Sequence, residues 1–513
     1  MSNHDLEATW AYHNGTKHSY QSIRTTPHSL DWENQPLPLK IYSSLEPIPL
    51  PQNLSLSGVS ALSAMAALEA HPQGEHVPDL QTLAQILHCS AGITKRRTSP
   101  GGEIFFRAAA CTGALYHIDL YLVCGELPGL RAGLYHFGPH DFALRQLRAG
   151  DYRGTLVQAS GGEPTVASAP AVIICTGTYW RNAWKYQART YRHCFWDTGT
   201  IVANLLAVAA AYEVPARVVG GFVDAEVNRL LDLDTAHEVA LTLIPLGRAP
   251  DMSPGPAPEV KPLALPTVPL SKTEVDYPAI RAMHAASSLL DADAVKAWRG
   301  SLPQIIPPQP AGRLFPLRPQ GDNELPQHPI EEVILRRGST RVFAHRPITF
   351  VQLSNLLHRA TRGLPADFLA PEGPRLNDLY LIVHAVDELP SGAYVWRKEQ
   401  KALELLEEGN FRREAGYLGL GQELPADASV NVFFLADLQP ILERFGSRGY
   451  RAAQLEASMM GGRLYLAAYA QGLGATGLTF FDDDVTRFFS PHAAGKSVMF
   501  LVALGKPAKH RGR

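Results

Sequence analysis

The stretch Ile334–Phe343, "ILRRGSTRVF", sets Arg336, Arg337 and Arg341 around Ser339, just ahead of an apolar and then helical pattern. Guanidinium groups offer bidentate, charge-assisted hydrogen bonds to a phosphate, and a serine hydroxyl adds another donor. An arginine-rich loop by itself is more often a solvated surface, so its meaning depends on the framework around it. Other candidates carry less chemistry. "RRTSPGG" from Arg96 reads as an exposed turn. "GLGATG" from Gly472 lies between a helix and a strand, the wrong order for a dinucleotide fingerprint. Asp482–Asp484 are placed to charge a helix N-terminus rather than to bind metal. His88 and His358 occupy matching helix positions, which suits packing or surface. No metal site is expected.

The elements that must position the arginine loop occur twice. "IDLYLVCGELPGLRAGLYHFGPHDFALRQLRAGDYR" from Ile118 parallels "NDLYLIVHAVDELPSGAYVWRKEQKALELLEEGNFR" from Asn377. Each reads as a strand, a turn with "ELP", a strand carrying Gly-x-Tyr, and a further strand or helix start. "KYQARTYRHCFWDTGTIVANLLAVAAAYEVPARVVGGFVDAEVNRLL" from Lys185 parallels "RFGSRGYRAAQLEASMMGGRLYLAAYAQGLGATGLTFFDDDVTRFF" from Arg444. Here a long helix of small and apolar residues leads through a short strand to a second helix. "LQTLAQILHCSAGI" faces "FVQLSNLLHRATRG", and each half closes on a strand, "VALTLIPLG" or "SVMFLVALG". A repeat of this length is a duplicated domain, not a solenoid. The pattern predicts an α+β fold, two fused domains forming an intrachain pseudo-dimer, each a central mixed sheet flanked by helices. The expected boundaries are 1–250 for the first domain with its N-terminal extension, 251–328 for a proline-rich linker with a short helical insert, and 329–513 for the second domain.

Bulk composition agrees with a globular chain. Of 513 residues, 45% are hydrophobic and 19% charged, and the net charge is −2. That balance leaves no global basic field for nucleic acid or an acidic membrane. Five cysteines, without CxxC spacing, suit a reducing compartment rather than a disulfide framework or a structural zinc. The N-terminus has no apolar core of a signal peptide, and the apolar run from Ile201 is too short to span a bilayer, so a soluble cytoplasmic protein is expected.

Together these segments resemble the FMN-dependent nitroreductase superfamily, and within it the SagB/ThcOx-type dehydrogenases. "RAAACTGALYHIDLYLV" from Arg107 resembles the family's "R-A-x-P-S-A-G-A-L-Y-P-x-E-L-Y" segment. "WKYQARTYRHCFWDTG" resembles its Lys-Tyr segment and Arg-Tyr-Arg helix entry. "VVGGFVD" and "GLTFFDDD" resemble its flavin-flanking strand and turn, and "RRGSTRVF" its Arg-x-Ser-x-Arg phosphate loop. The resemblance covers nearly the whole chain outside the linker. It implies FMN bound between two domains. One contributes the phosphate loop, here Arg337, Ser339 and Arg341, the strand-turn at Gly477, Leu478 and Thr479, and a basic pair after the last strand, Lys509 and Arg511. The other contributes the loop over the flavin ring, here Cys111, Thr112 and Gly113, whose small residues permit close approach to a flat ring. The family usually has Pro-Ser where this chain has Ala110-Cys111.

The motifs are distributed unevenly. The first half has "LSLSGVSALSAMAAL" where an arginine loop would stand; the second has "LAPEGPRLNDLY" where the ring loop would stand. The losses are complementary, so a single composite site, and one FMN per chain, is expected. The resemblance also implies that Lys185 and Tyr186 carry proton transfer, as a Lys-Tyr pair does in azole-forming members. Their counterparts, Arg444 and Phe445, cannot act as a base. The implied activity is oxidation of thiazoline or oxazoline rings in peptides to azoles. The expected partners are a peptide or small-molecule substrate and a peptide-cyclising enzyme. Two alternatives stand beside this: an NAD(P)H-dependent reductase of nitroaromatics or quinones, and a flavin-free scaffold.

Overall fold

The structure is a computed structural model that describes residues 3–25, 28–65, 74–99, 102–303, 309–370 and 375–508. Its strands are β1 (Pro47–Pro49), β2 (Ile93–Ser99), β3 (Gly102–Arg107), β4 (Ile118–Cys124), β5 (Gly133–Gly138), β6 (Ala143–Ala149), β7 (Ala171–Thr178), β8 (Glu238–Leu246), β9 (Leu314–Pro316), β10 (Asp378–Val383), β11 (Gly392–Arg397), β12 (Ala402–Glu408), β13 (Val430–Ala436), β14 (Gly474–Gly477) and β15 (Ser497–Gly505). One sheet runs β1-β6-β5-β4-β7-β8, the other β14-β15-β13-β10-β11-β12-β9, and β2 pairs with β3 as a separate hairpin.

Six strands of the second sheet repeat the first in order, and β14 is added at its edge. β4 to β8 match β10 to β13 and β15, and the edge strand β1 on β6 matches β9 on β12. β9 falls inside 251–328, so the segment expected as linker completes the second sheet. It also supplies the helices Pro278–Ala286 and Ala292–Trp298. The ladders are antiparallel, where a mixed sheet was expected, and parallel pairing is confined to isolated bridges such as Val218 with Ala366. The reason is local: β4 to β6 and β10 to β12 follow one another through short connections without a crossover helix, which reverse direction. β7, "AVIICTGT", is buried along its whole length, as an apolar run covered on both faces should be. "RRTSPGG", expected as an exposed turn, has Arg96 and Arg97 on β2.

Two long helices, Thr190–Ala211 and Arg448–Ala470, pack together between the sheets. Alanine and leucine favour the helix, and small residues let the backbones approach. A Cβ at Gly199 would collide with the Ser458 hydroxyl. That hydroxyl donates to the Phe195 carbonyl at 2.9 Å, and Trp196 Nε1 donates to Gln454 Oε1 at 2.6 Å. The helical stretch Tyr179–Ala211 is long and apolar enough to cross a membrane by length and composition, more than the run from Ile201 suggests; 89% of its most apolar window is buried inside the protein, which makes it a core element.

Two buried ion-pair clusters lock the halves together with twofold logic. Arg448 and Arg451, from the second half, each place Nη1 on Asp224 of the first, at 2.6 and 2.7 Å. Arg189 and Arg192, from the first half, do the same to Asp482 of the second, at 3.0 and 2.6 Å. Both aspartates open a short helix, as expected for Asp482. The guanidinium groups hold the Asp224 carboxyl down at about 2, against the opposing cost of burial, and press that of Asp482 down as well.

Candidate functional site

The arginine loop and the ring loop, remote in sequence, meet at the interface. Arg337 Nε donates to the Ala108 carbonyl at 2.8 Å and Nη2 to the Arg107 carbonyl at 3.0 Å. That edge of the guanidinium is therefore committed to the first half, where a bidentate grip on phosphate was expected, and Nη1 remains. Ser339 Oγ lies 3.4 Å from the Tyr465 hydroxyl. The same hydroxyl accepts from Gly477 N–H, so Tyr465 ties the arginine loop to the strand-turn. Arg341 is exposed, and its charge reaches the Tyr186 phenol.

Asp197, on the long helix, organises the ring loop. Its carboxylate accepts from Thr112 N–H at 2.9 Å, Thr112 Oγ1 at 2.7 Å and Cys111 Sγ at 3.0 Å. Burial pushes the Asp197 carboxyl up to about 6, and these three donors oppose the rise. Burial and the adjacent Asp197 raise the Cys111 thiol, which therefore stays protonated. Gly113 has φ +65°, and a Cβ there would stand 2.8 Å from the Tyr186 hydroxyl. Only glycine meets both conditions without strain. His117 Nδ1 lies 3.3 Å from Asp197 without hydrogen-bond geometry. Burial holds that imidazole down at about 3, hence neutral.

Tyr186 ends the helix Tyr179–Tyr186 and packs edge-on against His193, ring centroids 4.7 Å apart. Burial, then Asp197 and Cys111, raise its phenol pKa, so it keeps its proton. Lys185 is exposed, with Nζ 5.4 Å from the Tyr186 ring centroid. Leu478 N–H donates to the Leu501 carbonyl at 3.1 Å. The next two amides, of Thr479 and Phe480, have no partner among the described residues, and neither has the buried Thr479 Oγ1. An unpaired buried polar atom is costly, so Thr479 Oγ1 with the two amides beside it marks where a polar ligand edge fits. Together with the close-fitting Gly113 loop and the arginine loop, they suit a flavin. Lys509 and Arg511 lie outside the described residues. Sequence reasoning missed Asp197 and Tyr465. The available signal was an acid retained in both apolar helices, Asp197 opposite Glu456.

The pseudo-equivalent site is differently filled. Val219 N–H donates to Leu243, just as Leu478 does to Leu501, which aligns Gly220 and Gly221 with Thr479 and Phe480. Gly220 and Gly221 N–H donate to the Asp367 carboxylate at 2.8 and 2.9 Å. Val218 N–H donates to the Pro365 carbonyl at 2.8 Å, and its carbonyl accepts from Asp367 N–H at 3.0 Å. The segment Pro365–Asp367 thus occupies the donors that stand free in the first site.

Comparison with known proteins matches the chain to the nitroreductase family at residues 75–248 and 334–506. A crystal structure from Anabaena variabilis, described as a candidate nitroreductase, superposes with a TM-score of 0.77 at 27% identity, covering 98% of this chain and 99% of that one. The Methanocaldococcus jannaschii protein MJ1384, named as a candidate nitroreductase, is 25% identical over 169 residues, which are 33% of this chain and 80% of its own length. The Microcin B17-processing protein McbC of Escherichia coli is 28% identical over 128 residues, 24% of this chain and 47% of its own length.

Proposed function

The chain belongs to the nitroreductase family, and from that premise we propose that it is an FMN-dependent dehydrogenase of the SagB/ThcOx type with one flavin per chain. Its substrate would be a thiazoline or oxazoline ring in a peptide. The enzyme is an oxidoreductase, and members of its family generally use flavins. The observation that carries the single-flavin reading is the contrast in backbone donors: those of Thr479 and Phe480 have no partner among the described residues, whereas those of Gly220 and Gly221 are taken by Asp367.

Arg337 Nη1, Ser339 and Arg341 would hold the phosphate, with Lys509 and Arg511 as further candidates. The Thr479 and Phe480 amides and Thr479 Oγ1 would meet the polar edge of the ring, and Cys111, Thr112 and Gly113 would cover its face. Bound FMN supplies a two-electron acceptor, so that a hydride and a proton leave the azoline and an azole results, with dioxygen as the terminal oxidant. The chain's own residues handle the proton. Tyr186 retains its phenolic proton and therefore orients or donates rather than accepts. Lys185 Nζ would accept the proton, which requires the substrate to cover the exposed amine and desolvate its charged form. Asp197 holds the ring loop against the long helix.

McbC, by name a Microcin B17-processing protein, supports a substrate that the enzyme processes; the azoline reading would add a peptide-cyclising partner that makes the ring. Five free cysteines support a reducing, cytoplasmic setting. The A. variabilis likeness favours a second reading, NAD(P)H-dependent reduction of nitroaromatics or quinones. The test begins with flavin released per chain on denaturation. Azoline-peptide oxidation and NAD(P)H consumption are then assayed side by side, with Lys185→Ala. One FMN per chain, azoline oxidation, and its loss in Lys185→Ala with flavin retained are expected. NAD(P)H consumption without azoline turnover would install the reductase reading. No flavin, even after soaking, would leave only a scaffold.

A further inference from the structure

Beside the segment Pro365–Asp367 lies a cavity of about 790 Å³, within the roughly 300–1,000 Å³ usual for small-molecule sites. Leu206, Ala210 and Val214 wall it from the first half, and Leu364, Ala366 and Leu369 from the second. Among the described residues lining it there is no aspartate, no glutamate and no aromatic ring, but there are three arginines, Arg217, Arg248 and Arg463.

Arg463 is the informative one. It is 3% exposed, has no carboxylate partner among the described residues, and stands near the like charges of Arg375 and Arg362. Its Nη1 donates to the carbonyls of Arg362 at 2.7 Å and Gly363 at 3.1 Å, leaving Nε and Nη2 without a partner among the described residues. In the repeat, the matching position on the other long helix is Asn204. Its neutral amide donates to the carbonyls of Cys89 at 3.0 Å and Ala108 at 3.3 Å, so at that position the other half carries no charge. The charge at Arg463 is buried with two carbonyl acceptors but no counter-ion among the described residues, an arrangement that an anion would stabilise. The cost is visible: burial, then Arg375 and Arg362, bring the Arg463 pKa down to about 9.

A second flavin does not fit. The ring-edge donors are consumed by Asp367, and the stretch matching the phosphate loop carries no arginine. A nucleobase would lack an aromatic surface to stack on. We propose that the cavity is a second, non-flavin site that binds an aliphatic carboxylate of medium chain length, its carboxylate on Arg463 and its chain along the leucine and alanine walls. The duplication thus left two sites of different kinds: one with polar donors facing a flat ring, one an apolar chamber walled in part by arginines, with Arg463 buried at its side. The proposal is independent of the reaction performed at the flavin site.

The test is isothermal titration of the full-length, flavin-loaded protein with decanoate and with decanol. Saturable decanoate binding at one per chain is expected, with decanol at least tenfold weaker. Arg463→Gln, which keeps amide donors for the two carbonyls, should weaken decanoate tenfold or more and leave the flavin content unchanged. Should that variant not fold, Ala210→Phe, which fills the chamber from its wall, should abolish binding. Equal affinity for decanol, or undiminished binding in Arg463→Gln, would reduce the site to an unspecific apolar void. Decanoate binding lost in Arg337→Ala but not in Arg463→Gln would place it at the flavin site. FMN competing with decanoate, or no decanoate binding at millimolar concentration, would overturn the proposal outright.

Discussion

The two interdomain sites of this chain began as copies and now differ in what their backbone donors do. Both lie beside a turn that follows the long helix, and both turns are anchored by the same bond, from Leu478 to Leu501 or from Val219 to Leu243. In one, the next two amides have no partner among the described residues; in the other, Asp367 accepts from both. In one, the long helix presents a neutral Asn204 to the carbonyls of Cys89 and Ala108; in the other, the matching position is the cation Arg463, on the carbonyls of Arg362 and Gly363. A site is lost or retained less by its scaffold, which is common, than by whether a neighbouring loop satisfies its donors internally.

What the sites share is the pair of clasps, so the largest effect should be the least discriminating. Asp224→Asn and Asp482→Asn each leave two buried guanidinium groups without their counter-ion. Each should destabilise the chain by about 3–5 kcal/mol in denaturant titrations. A large inequality between them would break the assumed symmetry. Because both carboxyls are depressed in the fold, their contribution is present above about pH 4 and is lost as pH falls toward 2.

The next effect separates the sites. Arg337→Ala removes both a phosphate donor and the two bonds that hold the ring-loop segment, so flavin affinity should fall by roughly 2–4 kcal/mol. Asp367→Ala should leave the flavin count at one per chain, since freeing the donors does not restore an arginine loop. A second flavin in that variant would show that Asp367 alone closes the site.

A comparable effect distinguishes acid from base conditions in the flavin-free chain. Burial raises Asp197 to about 6 and its counterpart Glu456 to about 7. A raised carboxyl favours folding while protonated. Its contribution is therefore full below about pH 4 and is lost as pH rises through 6 and 7, on the order of 3 kcal/mol each. Asp197→Asn and Glu456→Gln should each flatten part of that decline in thermal melts recorded from pH 4 to 8. The smallest effect is local. Gly113→Ala imposes a left-handed φ and a contact with Tyr186, and should cost about 1–2 kcal/mol of stability and loosen flavin.

The duplication was legible because strand and helix patterns recur with their turn residues, and six strands of each sheet follow the same order. The complementary loss of Arg337's and Gly113's counterparts was legible for the same reason. β9 was not, because a strand of the form "LFP" in a proline-rich stretch carries no alternation to read; its partner β12 makes it a strand. The roles of Asp197 and Tyr465 were also hidden. Each acts through a contact that its own neighbours in the chain do not suggest. Lys185 was assigned by resemblance, and its exposure shows that the protein alone does not desolvate it.

By itself the sequence determined the repeat, the fold class and the side chains available on each half, since periodicity and local composition are properties of short segments. The tertiary structure alone decided which donors are free. Whether an amide at Thr479 or Gly220 awaits a ligand depends on a loop more than a hundred residues away, and hydrogen-bond satisfaction is settled by three-dimensional proximity, which no local pattern encodes.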